Sequence, residues 1–73
     1  MYAVTGITGQ AGGAVARTLL AEGAQVRAVA RDASKEAPWV EGGCELAIAD
    51  MRDASALARA FMGTEGVFVK TAL

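Results

Sequence analysis

The stretch Thr5-Gly6-Ile7-Thr8-Gly9-Gln10-Ala11-Gly12-Gly13 decides the fold of this chain. It follows the short apolar run Tyr2-Ala3-Val4, which is typical of a buried strand. After it, small and apolar residues recur with the i, i+3, i+4, i+7 spacing of one helical face. These residues are Gly12, Val15, Ala16, Leu19 and Leu20. The stretch therefore predicts a tight turn that joins a buried strand to an amphipathic helix.

The rest of the chain repeats this alternation. Gly23 stands where a C-cap glycine ends a helix, and Val26 to Ala30 predicts a second strand. We expect Asp32 and Ser34 to cap a short helix that runs through residue 40. Pro38 is compatible with that helix because it lies near the first turn.

A third strand is predicted over Cys44 to Ala49, and a helix capped by Asp53 follows it. The predicted apolar face of that helix consists of Ala54, Leu57, Ala58 and Phe61. Gly63 ends the helix, and Val67 to Val69 predicts a fourth strand.

Strands that alternate with helices predict an α/β fold with a parallel sheet and right-handed crossovers. We expect a doubly wound sheet of four strands in the order 3-2-1-4 with three helices, which is half of a Rossmann fold. The 73 residues suffice for one domain, residues 1–73. The 53% hydrophobic content suits strands that are buried on both faces.

Composition argues against several classes of function. The net charge of −1 gives no basic surface for nucleic acid. Histidine is absent, which removes His-based triads and most catalytic zinc sites, so we expect no metal site. Glycines interrupt the uncharged first sixteen residues, and no basic segment precedes them, so neither a signal peptide nor a membrane span is predicted. The lone Cys44 permits no internal disulfide and fits a cytoplasmic location.

The three spaced glycines have separate physical tasks in a phosphate-binding turn. Gly6 lets the chain turn sharply, Gly9 lets the backbone approach a pyrophosphate, and Gly12 lets the helix pack close to the sheet. The helix N-terminus then offers N–H groups and the positive end of its dipole to the phosphates. Thr8 and Gln10 are candidate side-chain donors. A plain tight turn is the alternative, but the strand before and the helix after favour a dinucleotide site.

The end of the second strand bears on the choice of cofactor. Arg31 and Lys35 suit the 2′-phosphate of NADP(H), so NADP(H) is favoured and NAD(H) stays possible. We interpret Asp32 as a helix cap rather than as a ribose ligand. Two solvated surface cations are the alternative for Arg31 and Lys35. Asp50 either contacts the adenine edge, directly or through the backbone of Met51, or bonds within its own turn.

Several sequence blocks, in this order and spacing, resemble NmrA-like atypical short-chain dehydrogenase/reductases. The blocks are Thr5–Gln10, Val15–Leu20, Val26–Arg31, Ala49–Asp53 and Gly66–Val69. The resemblance runs through essentially the whole chain. It implies a Rossmann domain that binds NAD(P), often NADP(H), in either a reductase or a redox sensor without turnover.

The resemblance also implies a role for individual residues. The pyrophosphate would lie against Gly6, Thr8, Gly9, Gln10 and Ala11. Arg31 and Lys35 would hold the 2′-phosphate, while Asp50 and Met51 would meet the adenine. Thr71 would lie on the nicotinamide side.

The chain departs from the family in length, because family members run to several hundred residues. It also lacks the Tyr-x-x-x-Lys pair of the wider superfamily, since Gly6 stands four residues after Tyr2. We therefore assign no catalytic acid, base or substrate pocket. Three hypotheses follow: the cofactor-binding part of an oxidoreductase that passes hydride to a small acceptor such as a quinone, a non-catalytic sensor, or a truncated fragment. The open edge at Val67–Val69 predicts self-association.

Overall fold

The computed structural model describes residues 1–69, in which strands and helices alternate along the chain. The elements are β1 (Tyr2–Thr5), α1 (Gln10–Ala21), β2 (Val26–Ala30), α2 (Ala37–Glu41), β3 (Glu45–Ile48), α3 (Ala54–Ala60) and β4 (Gly66–Phe68). All neighbouring strands pair in parallel, in the order β3-β2-β1-β4. The predicted half Rossmann topology is therefore confirmed. The fourth strand has the predicted length of three residues, but it begins and ends one residue earlier, at Gly66 and Phe68.

The two central strands are buried on both faces of the sheet. Val4 and Ala28 belong to a core beneath α1 and α2, whereas Ala3 and Val29 belong to a second core beneath α3. This division follows from the twofold alternation of side chains along a strand. Burying a valine completely stabilises the fold by about 1.5–3 kcal/mol. The alanines add less, but they let the helices approach the sheet closely.

Helix α1 presents the predicted face to the sheet. Ala16 is fully buried, and Val15, Leu19 and Leu20 pack around the same core. The helix ends in a Schellman motif: the N–H of Gly23 donates to the carbonyl of Leu20, and the N–H of Ala24 donates to that of Leu19. Gly23 has a φ of 81°, as that cap requires.

The predicted cap of the second helix is wrong. Helix α2 begins after Glu36, whose side chain makes no capping hydrogen bond, and Pro38 lies in its first turn. Asp32 instead accepts hydrogen bonds from the N–H and the hydroxyl of Ser34. These bonds close an Asx turn, in which short polar side chains satisfy the backbone locally rather than cap a helix.

The predicted apolar face of α3 is only partly right. Leu57 and Phe61 pack on the sheet, but they do so together with Ala56 and Ala60. Ala54 and Ala58 are exposed. The predicted cap of this helix is confirmed, because the Asp53 carboxylate accepts a hydrogen bond of 3.1 Å from the N–H of Ala56.

Arg27 ties α3 to the sheet. Its guanidinium donates to the carbonyl oxygens of Ala60 and Met62 at 2.7 and 2.8 Å, and to a carboxylate oxygen of Glu45 at 2.8 Å. Its side chain is only 16% exposed. The only charged residue of β2 thus satisfies the end of α3, where helix carbonyls lack internal partners.

Candidate nucleotide site

A recess of about 300 Å³ opens where β1 and β2 end, and Met51, which follows β3, completes its wall. The carboxyl ends of parallel strands are the usual place for a ligand in an open α/β sheet. The lining residues are Thr5, Gly6, Ile7, Thr8, Val29, Ala30, Arg31, Asp32, Lys35, Glu36 and Met51.

The glycine turn forms the floor between β1 and α1. Gly6 has a φ of 63°, a conformation that other residues rarely adopt, and its carbonyl accepts a hydrogen bond from Gly9 at 2.9 Å. A Cβ atom on Gly12 would lie 2.7 Å from the carbonyl carbon of Gly6 and 2.9 Å from the carbonyl oxygen of Thr5. The start of α1 can therefore approach the end of β1 only with glycine at position 12.

The N-terminus of α1 borders this turn and carries no competing charge. It has no side-chain cap and no acidic residue in its first turn. The first N–H groups of a helix lack internal acceptors, so they remain able to bind an anion. The residues around them are exposed, namely Thr8, Gly9, Gln10 and Ala11. This geometry suits a phosphate group.

Two cations line the recess beyond the end of β2. Within residues 1–69, neither Arg31 nor Lys35 makes an ion pair or a side-chain hydrogen bond. Both charges lower the pKa of Asp32, although the hydrogen bonds from Ser34 lower it more. Arg31 and Lys35 thus supply positive charge that no direct partner in the described part of the chain neutralises.

Asp50 bonds within its own turn. It accepts two hydrogen bonds from the Arg52 guanidinium, at 3.2 and 3.1 Å, and one from the Arg52 N–H at 2.8 Å. These bonds are the main reason why the pKa of Asp50 falls to about 2, and the charges of Arg52 and Arg31 contribute less to that lowering. The side-chain hydrogen bonds of Asp50 are thus those of its own turn, as one of the two interpretations from sequence expects. The neighbouring Met51 lines the recess and has 41% of its surface exposed.

The recess unites only part of the predicted site. Gly6, Thr8, Arg31, Lys35 and Met51 line it together. Five other predicted residues do not line it. Gly9 is the N-cap of the adjoining helix α1, Gln10, Ala11 and Gly12 form its start, and Asp50 lies beside Met51. The predicted residue Thr71 lies outside the described residues.

The lining residues that sequence reasoning missed include Thr5, Val29, Ala30 and Glu36. The first three end β1 and β2, so their place at the carboxyl edge of the sheet was a usable signal. Glu36 gave no signal, because it stands in a polar stretch that suggests an exposed loop.

Residues 1–69 lack the features of two other kinds of site. They contain no helix long and apolar enough to cross a membrane. The same residues hold no group of three or more Cys, Asp or Glu side chains placed to bind a metal ion.

The sheet order and the glycine turn define a Rossmann-type nucleotide-binding fold. The model of the NmrA-like family matches residues 2–72, and the chain belongs to this family. A triphenylmethane reductase of Citrobacter sp., solved with NADP(H), is 34% identical and superposes with a TM-score of 0.79. That match covers 90% of this chain and 24% of the reductase.

A second solved structure is a short-chain dehydrogenase/reductase superfamily protein of Agrobacterium tumefaciens with bound NAD. It is 30% identical, with a TM-score of 0.73, and the match covers 100% of this chain and 21% of that protein. The chain therefore spans about a quarter or less of the length of either structure.

Proposed function

We propose that this chain binds a nicotinamide dinucleotide in the recess and along the start of α1, with NADP(H) favoured over NAD(H). The observation that carries the proposal is that Arg31 and Lys35 line the recess beside the glycine turn and form no ion pair within residues 1–69. A 2′-phosphate is the anion that such a pair would recognise at the end of β2.

The remaining contacts follow from this placement. The pyrophosphate would lie against Gly6, Thr8, Gly9, Gln10 and Ala11, with Gly12 keeping the helix close. Met51 would cover the adenine, and Asp50 would hold the Met51 segment through its bonds to Arg52. Thr71 is proposed to lie on the nicotinamide side.

We further propose that the cofactor serves an oxidoreductase that passes hydride to a small acceptor such as a quinone. The similarity to a reductase solved with NADP(H) supports this activity. Hydride transfer would be the chemistry of the cofactor, which the protein positions. Oxidation of NADPH by quinones would support turnover. Tight binding without oxidation by any acceptor would favour the redox sensor, and aggregation without binding would favour a fragment that lacks independent activity.

The cofactor preference is tested by Arg31→Ala, with Arg59→Ala as the matched control. Both variants lose one positive charge. Arg59 is exposed on α3 and does not line the recess, so its loss should not affect a ligand bound there. Loss of a charge-assisted contact to the 2′-phosphate should weaken NADPH binding about 10-fold to 100-fold and leave NADH binding nearly unchanged. Isothermal titration calorimetry measures both affinities. An Arg31→Ala chain with the wild-type ratio of NADPH to NADH affinity would overturn the assignment.

We also propose that the chain self-associates through the edge at residues 67–69. Val67 and Val69 are 43% and 46% exposed, and an apolar groove of about 260 Å³ lies between α1 and β4. Among residues 1–69, strand β4 pairs with β1 and with no other strand, so its other side would offer backbone groups to a second copy.

A further inference from the structure

Trp39 is the side chain through which helix α2 contacts the core. The helix has five residues, none of them buried, and among these five only Trp39 packs against the core beneath α1. A helix of this length is not stable by itself in water. The position of α2, and of the segment that leads into it, therefore depends on how Trp39 packs.

The indole ring of Trp39 lies against the first turns of α1. The guanidinium carbon of Arg17 stands 5.9 Å from the ring centroid, within the range of a cation–π contact. A Cβ atom on Gly13 would lie 3.5 Å from the ring carbon Cζ2 and 3.3 Å from a guanidinium nitrogen of Arg17. The N–H of Gly13 donates to the carbonyl of Gly9 at 2.9 Å. The contact is thus one turn from the start of α1, where we place the pyrophosphate.

The backbone of Trp39 continues this contact to the recess. Its N–H donates to the carbonyl of Glu36 at 2.9 Å, and Glu36 and Lys35 both line the recess. Within residues 1–69 the Lys35 side chain has no ion pair and no hydrogen bond. The backbone that Trp39 holds therefore determines where the Lys35 ammonium group can reach.

We propose that Trp39 is a positioning residue for the preference for NADP(H). By packing on α1 it fixes the Lys35 charge relative to the helix start that takes the pyrophosphate. Trp39 is not among the residues that line the recess, so it acts through Lys35. This inference rests on the proposed binding of a dinucleotide.

The two cofactors should respond differently to a loss of this packing. The 2′-phosphate and the pyrophosphate of NADP(H) are attached to one ribose, so the cation and the helix start must be correctly spaced to bind both. A charge-assisted contact weakens when the cation is displaced from its partner. NADH has no 2′-phosphate and should be affected much less.

The test compares Trp39→Ala with Leu20→Ala as the matched control. Leu20 packs against the same core, but it lies at the end of α1 that is remote from the glycine turn. The readout is the ratio of the Kd for NADH to the Kd for NADPH, measured by calorimetry on one preparation of each variant. Because an unfolded fraction lowers both affinities equally, general destabilisation does not change the ratio.

We expect the ratio to fall about tenfold in Trp39→Ala, as the loss of one charge-assisted contact predicts, and to stay at the wild-type value in Leu20→Ala. Lys35→Ala should lower the ratio by a similar factor. Trp39→Ala combined with Lys35→Ala should lower it no further than Lys35→Ala alone, because both changes remove the same contact. If Trp39→Ala does not fold, Trp39→Leu takes its place with the same expectations, since it keeps an apolar side chain on the core.

An unchanged ratio in the folded Trp39 variant, or an equal fall in Leu20→Ala, would overturn the role of Trp39 and leave the proposed function intact. Effects of Trp39→Ala and Lys35→Ala that multiply in the double variant would also overturn it, because Trp39 would then not act through Lys35. If the folded wild-type chain binds neither nucleotide, the proposed function fails and the role of Trp39 fails with it.

Discussion

At the scale of single residues, Gly12 is the position where one added atom should do the most damage. Its Cβ would meet backbone atoms of Thr5 and Gly6, which cannot rotate away as a side chain could. We expect Gly12→Ala to lower the free energy of unfolding by about 1–3 kcal/mol, the usual cost of overpacking, and to move the start of α1. Urea denaturation followed by circular dichroism measures the change.

Gly23→Ala is the comparison variant for Gly12→Ala. A Cβ at position 23 meets nothing within 4 Å, so only the strain of its positive φ remains. Both variants should lose stability, but only Gly12→Ala should also lose dinucleotide binding in the folded fraction, because Gly23 lies at the far end of α1. Wild-type stability and binding in Gly12→Ala would contradict this account of the turn.

The glycines could be assigned from sequence because each has a backbone task that no other residue performs as well. The position of Glu36 could not be assigned from sequence, because its burial depends on how the segment before α2 packs beside the recess. Asp32 was misjudged for a related reason. Both a helix cap and an Asx turn need a short side chain whose oxygen accepts a backbone hydrogen bond. In the structure the N–H of Ser34 donates to Asp32, which makes an Asx turn and not a helix cap.

At the scale of elements, the buried face of a helix was predicted most reliably where large apolar side chains stand on one face and polar side chains on the other. Helix α1 has leucine and valine on one side and arginine and threonine on the other. Helix α3 has alanine at positions 54, 56, 58 and 60, so two faces fit Leu57 and Phe61 almost equally well. The contact of Ala56 and Ala60 with the sheet resolved that ambiguity, which periodicity alone left open.

Strand β4 is the element from which self-association should arise. Val67→Lys places a charge on its exposed side, and charges on edge strands discourage pairing with another chain. We expect the wild-type chain to sediment as a dimer or larger species and Val67→Lys to shift it towards monomer in analytical ultracentrifugation. Ile48→Lys is the control, because Ile48 is 56% exposed on β3, at the opposite edge of the sheet.

A monodisperse wild-type monomer at high concentration would contradict association through β4. Dissociation by Ile48→Lys but not by Val67→Lys would place the contact at the other edge of the sheet instead.

At the scale of the whole molecule, the strand order and the family were both within reach of the sequence. The alternation of elements, the short connections and the glycine turn admit few topologies. The set of residues that line the recess was harder to predict from the sequence, because they come from the ends of β1 and β2, from the segment before α2 and from the residue after Asp50. Those segments are distant in sequence, and no local pattern reports how their side chains meet.

The central claim is that residues 1–73 hold a dinucleotide at the carboxyl edge of this sheet. The most direct test is calorimetric titration of the folded wild-type chain with NADPH and, separately, with NADH. We expect saturable binding of both cofactors, with NADPH the tighter. A chain that is folded by circular dichroism and gives no binding heat with either cofactor, together with no shift of its melting temperature, would contradict it.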